Sequence, residues 1–409
     1  MRLIKDLSLS AATAGFVAVL VGFTSSVAIV FQAALAFGAT PAMVSSWMWA
    51  LGLGMGLCTL LPSLWLKKPV MIAWSTPGAA LLATSAAAAG AGAGFTMPQA
   101  VGAFMVSAAL VTAAGWTGWF ERVMNRIPVA LASALLAGVL TRFGLSGFAA
   151  AQTALPLVLV MLGAYLVGKR WWPRFAVPVT LLIAIIFVAA HAGFTGAAVT
   201  FGIAIPVFVA PEFTWAATVS LAVPLFIVTM ASQNLPGVAT LRACGFGDRR
   251  AEGGDAGIPV SKVITLTGLA TLVLAPFGGF ALNFGAITAA ICMGPEAHPQ
   301  PERRYTAAVV CGLLYIVIGI FGAAVTGVLT AFPPELVAAI AGLALLGTIG
   351  NALWTALQSE SHREAALITF LVTLSGVVIA GVGSAFWGVV AGSVALLVQH
   401  YGRPANERF

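Results

Sequence analysis

Ser75-Thr76-Pro77-Gly78 and, 207 residues further on (285 − 78), Asn283-Phe284-Gly285 are small polar residues and helix breakers set inside long apolar stretches. A helix interrupted there leaves main-chain N–H groups unpaired and turns the positive end of its dipole, equivalent to roughly half a charge, toward the gap. In hydrocarbon such an end needs an anion or a hydrogen-bond acceptor. If the half-helices begin near Pro77 and Phe284 and belong to halves inserted in opposite directions, their amino ends face each other, with Ser75, Thr76 and Asn283 as side-chain donors. The chemistry on offer is non-covalent capture of a small anion. Corresponding broken helices in two halves of a membrane chain are the sequence pointer to a carrier's substrate site.

A second polar interruption, Ser232-Gln233-Asn234-Leu235-Pro236-Gly237, falls inside another apolar stretch. Amides are costly in hydrocarbon without partners, so Gln233, Asn234 and Asn283 join the binding set. Pro236 frees backbone groups nearby. The 207-residue offset carries Ser25-Ser26 to Ser232-Gln233 and Gly38 to Gly245, and it brings Ser25 into the set. Serines in membrane helices also bond their own backbone. Phe23, Phe280 and Phe284 supply aromatic walls, giving a pocket polar at one end and apolar elsewhere, suited to a small organic anion with a hydrophobic body.

The elements that must position these residues are membrane helices. With 60% hydrophobic and 8% charged residues over 409 positions, against about 25% charged in soluble domains, the chain is an integral membrane protein. The alternation of a transmembrane barrel is absent, so the spans are helical. Windows of about 19 to 20 residues give fourteen: 11–37, 41–66, 70–89, 98–120, 128–148, 153–168, 175–192, 213–241, 259–275, 280–293, 305–332, 335–354, 364–380 and 383–400. The first run exceeds a signal peptide's apolar core of roughly 7 to 15 residues and is read as a retained helix. With both termini cytoplasmic, eighteen of the nineteen Lys and Arg residues fall inside and only Arg142 outside, as the positive-inside rule requires. Fourteen spans divide into seven plus seven, and an odd-numbered repeat must be inverted.

Other chemistries lack their residues. Cys58, Cys244, Cys292 and Cys311 are scattered in or beside apolar runs, with no CxxC pair or His/Cys cluster, and read as small hydrophobes. Four scattered histidines without an HExxH motif argue against an intramembrane enzyme, a metal site or a cofactor. The net charge of +7 is dispersed among short loops, which fits orientation in the bilayer and not a nucleic-acid partner. Gly52, Gly54 and Gly56 read as close helix packing, and Trp47, Trp49, Trp116 and Trp119 as anchors or packing. Asp6, Glu121, Glu212, Glu335 and Glu364 fall at span ends or loops, and His191 near the outer end of the seventh span. A proton carrier within a span is therefore not identified.

Pro69-Val70-Met71-Ile72-Ala73-Trp74-Ser75-Thr76-Pro77-Gly78, Ser232 to Gly237, and Phe277-Gly278-Gly279-Phe280-Ala281-Leu282-Asn283-Phe284-Gly285-Ala286 together resemble the bacterial benzoate/proton symporter family, over essentially the whole chain. That family is related to nucleobase carriers and more distantly to sulfate-type anion exchangers. The resemblance implies an all-α polytopic fold: a seven-plus-seven inverted repeat, residues 1–200 and 201–409, with broken third and tenth spans. It further implies a core domain from 1–122 and 213–332, a gate domain from 123–212 and 333–409, and an elevator-like movement. The implied activity is uptake of benzoate or a similar aromatic carboxylate with a proton across a bacterial cytoplasmic membrane, with a homodimer compatible with this reading. In nucleobase carriers, acidic residues bind substrate in the eighth and tenth spans; Gln233 and either Asn283 or Ala286 stand in the matching neighbourhoods. Donors there suit a carboxylate better than a nucleobase. The alternative is an anion exchanger or channel-like conductor for small anions using the same site.

Overall fold

The computed structural model describes residues 6–24, 26–88, 94–118, 120, 128–172, 176–191, 202–247, 257–294, 297–322, 324, 333–377, 379 and 384–400. The first half gives α1 (Leu9–Thr24), α2 (Val27–Ala36), α3 (Pro41–Leu66), strand β1 (Ile72–Trp74), α4 (Thr76–Ala88), α5 (Met97–Trp116), α6 (Val129–Ala149), α7 (Ala151–Trp171) and α8 (Ala176–His191). The second gives α9 (residues 215–243), α10 (Val260–Leu274), strand β2 (Leu282–Phe284), α11 (Ile287–Met293), α12 (Tyr305–Ile320), α13 (Pro334–Leu357), α14 (Arg363–Ser375) and α15 (Ser384–His400). Among the described residues six helical stretches are long and apolar enough to cross a membrane: Pro41–Leu66, Met97–Trp116, Ala151–Trp171, Trp215–Asn234, Val260–Phe277 and Pro301–Ile320. Apolar side chains also point outward. Leu159, Leu166, Ile186 and Leu397 are each more than half exposed, which a bilayer tolerates and water does not. The chain is a multi-pass membrane protein.

Four sequence expectations need correction. The fold is helical except at its centre, where β1 and β2 form a two-stranded antiparallel ribbon. The first apolar run is two helices and not one, because α1 ends at Thr24 and α2 starts after Ser26. The Ser26 hydroxyl donates back to Gly22 O at 2.9 Å and accepts from Trp74 Nε1 at 2.8 Å, and these bonds hold the break. The second half-helix starts at Ile287 instead of near Phe284, since Phe284 belongs to the ribbon. Finally, α9 is widened where an interruption was expected: π-helical turns at Thr218–Ala222 and Met230–Asn234 keep the helix continuous into Pro236. A π turn accommodates the extra residue and the missing proline N–H without opening the backbone.

The offset of 207 holds at the ends of α2 and α9. Gly38 and Gly245 both have left-handed backbone, and the bond from Ala39 N to Ala34 O reappears as Phe246 N to Leu241 O. At the ribbon the offset grows to 210, as Ser75 N bonds Ala281 O and Gly285 N bonds Met71 O (285 − 75 and 281 − 71).

Helices here associate without a hydrophobic drive, so close approach and hydrogen bonds must hold them. α3 packs along α12, α5 along α10, and α6 along α13. At the first contact Gly52 and Gly56 face Gly319 and Gly312: a methyl on Gly52 would lie 2.5 Å from Gly319 Cα, and one on Gly56 2.8 Å from Gly312 O. Gly54 points the other way, where a methyl would meet only the tips of Leu282 and Leu274. Backbone cannot yield as side-chain tips can, and overpacking costs about 1–3 kcal/mol. Gly52→Ala is therefore expected to lower the unfolding temperature in detergent by several degrees more than Gly54→Ala; equal losses would contradict this packing. The cysteines are free, with Cys58, Cys292 and Cys311 buried. Trp47 is core and Trp116 exposed, while Trp119 and Glu121 lie outside the described residues.

Candidate functional site

Each broken span first runs extended, and extended backbone inside a membrane protein survives only if its polar groups are paired. The strands pair with each other, Ile72 opposite Phe284, Ala73 opposite Asn283 and Trp74 opposite Leu282. Side chains from neighbouring helices close the outer edges. Thr59 Oγ1 on α3 accepts from Ile72 N at 3.1 Å, Thr271 Oγ1 on α10 accepts from Leu282 N at 3.2 Å, and Ser63 Oγ accepts from Val70 N at 3.0 Å. Asn234 Oδ1, from the second π turn of α9, accepts from Phe284 N at 3.0 Å, while its Nδ2 meets Met230 Sδ at 3.2 Å. Sequence reading missed Thr59, Ser63 and Thr271. Their only signal was hydroxyls on otherwise apolar helices, four residues apart in the first pair.

Side chains alternate across the ribbon. Ile72, Trp74, Leu282 and Phe284 share the apolar face: Phe284 lies against Gly237 of α9, Leu282 against Gly54 of α3, and Trp74 against Phe23 of α1 with ring centroids 5.4 Å apart. Ala73, Asn283 and Gly285 share the other. A Cβ on Gly285 would run into Thr288 Oγ1 and lie 3.5 Å from Ala73 Cβ, so glycine leaves room for the Thr288 hydroxyl on that face. Ala281 enters β2 with a left-handed φ of 41°. Its carbonyl accepts from both Ser75 N at 3.0 Å and Asn283 Nδ2 at 2.9 Å, two bonds that over-determine the strained residue.

Beyond the ribbon the chain turns into α4 and α11. Ser75 caps α4: its hydroxyl accepts from Gly78 N at 3.0 Å and its carbonyl from Ala79 N at 2.8 Å. Pro77 has no N–H, so among the first three amides of α4 that of Thr76 is left for a ligand. Gly285 N is taken by Met71 O at 3.0 Å, and α11 has only seven residues and no side-chain cap. The open groups near it are side-chain atoms. Asn283 Oδ1 and Thr288 Oγ1 are buried without a hydrogen-bond partner among the described residues. Thr288 was not singled out from the sequence, where one threonine after a glycine carries no signal.

The structure thus brings Ser75, Thr76, Gly78, Asn234, Asn283, Phe284 and Gly285 to one ribbon. Gln233, half-buried, stands beside Asn234 in the π turn packed on β2, and Phe23 reaches the ribbon through Trp74. Phe280 sits in an aromatic cluster with Trp47 and Phe104, centroids 5.6 and 5.8 Å away. Ser25 lies outside the described residues. The arrangement is a buried cluster of polar main-chain and side-chain groups between two broken helices.

The chain is similar along nearly all its length to known membrane proteins. It is 47% identical over 385 residues to the inner membrane protein YdcO of Escherichia coli, covering 94% of each. It is 37% identical over 394 residues to the benzoate membrane transport protein of Acinetobacter baylyi, covering 96% of each. In fold it is similar to the transmembrane domain of the cyanobacterial bicarbonate transporter BicA, with a TM-score of 0.53 at 13% identity, over 94% of this chain and 97% of that one. It is likewise similar to SLC26A9, with a TM-score of 0.58 at 14% identity, over 97% of this chain and 66% of that longer one. The family model described as benzoate membrane transport protein matches residues 5–398. The chain belongs to the benzoate membrane transport protein family.

Proposed function

We propose that the protein imports benzoate or a similar aromatic carboxylate together with a proton across the bacterial inner membrane, binding it at the crossed ribbon. The observation that carries this is the ribbon itself: two broken spans meet antiparallel, with the Thr76 N–H, the Thr288 hydroxyl, the Gln233 amide and the Asn283 Oδ1 left to meet a carboxyl group. Its ring is buried against apolar side chains on the Ala73 and Asn283 face of the ribbon, opposite Phe284 and the Phe23–Trp74 pair, where burial is worth about 25 cal/mol per Å².

The packing supports a seven-plus-seven inverted repeat of fourteen spans, and the distribution of Lys and Arg supports cytoplasmic termini. α3 against α12 is matched by α10 against α5, α1 against α12 by α9 against α5, and α14 against α6 by α7 against α13. Each pair becomes the other when the halves are exchanged. Contacts are dense within α1–α5 plus α9–α12 and within α6–α8 plus α13–α15, and sparse between these sets, which supports a core, a gate and an elevator-type movement between them. The connecting segment 202–212 goes with the core, because Ala204 N bonds Ile320 O, Val207 N bonds Ser46 Oγ and Glu212 N bonds Pro98 O.

Uptake of radiolabelled benzoate into proteoliposomes tests the reading, with protein-free vesicles subtracted. Saturable uptake accelerated by an inward pH gradient is expected. Currents that follow the anion gradient and ignore pH would favour a channel-like conductor. Gln233→Ala is expected to weaken benzoate binding about tenfold, as loss of one hydrogen bond to a charged or strongly polar group removes about 1.5 kcal/mol, with unchanged unfolding temperature because the side chain is half-buried. Unchanged affinity would move the site away from α9.

A further inference from the structure

Asn283 carries an unusual instruction for its ligand. Its side chain is fully buried, and Nδ2 donates to Ala281 O at 2.9 Å. That carbonyl also receives Ser75 N. Turning the amide over would set Oδ1 against a carbonyl oxygen, acceptor on acceptor, so its orientation is fixed by chemistry. Oδ1 therefore points away from Ala281 O, and it is buried with no partner among the described residues. It lies on the same face of the ribbon as Gly285 and Ala73, where Thr288 Oγ1 is likewise buried and unpartnered.

A buried, unsatisfied acceptor calls for a donor. A carboxylate has none: its oxygens accept only, and one of them would face Oδ1 lone pair to lone pair. A carboxylic acid has one O–H and one C=O. It can donate to Asn283 Oδ1 and accept from Thr288 Oγ1–H at once. The titratable groups described on the elements packed about the ribbon are Cys58 of α3, Lys262 of α10, Cys292 of α11, and Tyr305, Cys311 and Tyr315 of α12, with Tyr305 at the start of its helix and bonded to Asp6 ahead of α1. No carboxylate or imidazole is among them.

Resting on the reading of the ribbon as the substrate site, we propose that the site binds the substrate as the neutral acid, with its O–H donated to Asn283 Oδ1, so that the transported proton travels on the substrate. A proton from the outer solution adds to a carboxylate oxygen, forming the O–H bond, and the neutral acid enters the site. On the inner side that bond breaks, the proton passes to water and the carboxylate remains. No protein group changes charge in the cycle, and the loaded site crosses the membrane without moving net charge.

Equilibrium binding to the purified protein in lipid nanodiscs, with radiolabelled benzoate and with benzamide as competitor, tests this from pH 5.5 to 7.5. An aromatic acid with a pKa near 4 is ionised throughout that range, and its neutral fraction falls about tenfold per pH unit. The Kd for total benzoate is expected to rise about a hundredfold over the two units. Benzamide is uncharged and offers the same donor and acceptor pair, so it is expected to compete with a Kd that does not move with pH. Asn283→Ala is expected to flatten the benzoate slope and abolish benzamide competition. If that variant fails to fold, the wild-type comparison decides alone. A benzoate Kd that stays constant with pH overturns the proposal while leaving a benzoate site in place. A benzamide that does not compete also overturns it, by assigning the proton to a protein group. Absence of saturable benzoate binding at every pH removes the site itself, and both readings fall together.

Discussion

Asn234→Ala is expected to weaken benzoate binding by more than tenfold and to lower the unfolding temperature by several degrees. Asn234 is fully buried, and its Oδ1 is the acceptor for Phe284 N on the outer edge of β2. Truncation leaves that N–H unsatisfied in a dry interior, at a cost of about 1–3 kcal/mol. β2 is only three residues long, so a shift at Phe284 is felt at Asn283 and Gly285, the residues proposed to meet the substrate. Since 1.4 kcal/mol corresponds to a factor of about ten in an equilibrium constant, even the middle of this range would be visible in a titration. The measurement is benzoate binding and thermal unfolding of the two proteins in the same detergent. Wild-type affinity in the variant would mean that Phe284 N has another partner, and the role given to α9 would be withdrawn.

Gly285→Val should reduce benzoate binding at least a hundredfold while leaving the fold largely intact. The glycine lies beside Ala73 and Thr288 on one face of the ribbon, and any Cβ there takes the space of the Thr288 hydroxyl. Thr288 can turn away, so the cost falls on the proposed site and less on the backbone ladder. Gly237→Val makes the contrasting case, since a methyl there would lie 2.5 Å from Phe284 Cβ and 2.9 Å from its carbonyl, and overpacking of that kind destabilises by about 1–3 kcal/mol. The pair therefore separates loss of ligand from loss of fold. If Gly285→Val bound benzoate normally, the site would lie elsewhere.

Much of this was legible in the chain. The breaks at Ser75 to Gly78 and at Asn283 to Gly285 were readable because proline, glycine and small polar residues interrupt apolar runs, and a helix in lipid has few other reasons to contain that combination. The recurring offset of 207 was readable from spacing, and Gly38 and Gly245 end α2 and α9 in the same left-handed turn. Individual roles were less legible. Asn234 and Asn283 look alike as buried amides, yet one closes a strand edge and the other keeps a buried oxygen without a partner among the described residues. Phe280, grouped with the substrate walls, packs against Trp47 and Phe104, because an aromatic residue near a break can serve either face.

By itself the sequence determined that the chain lives in a membrane, that two of its spans break, and that polar amides accompany the breaks. These follow from composition and local backbone chemistry, which act residue by residue. Only the tertiary structure decided that the breaks become paired strands, that Thr59, Thr271 and Asn234 seal their edges, and that Asn283 Oδ1 and Thr288 Oγ1 are left open on one face. Those are outcomes of which donor meets which acceptor across more than two hundred residues of chain, and hydrogen-bond partners that distant cannot be assigned from either segment alone.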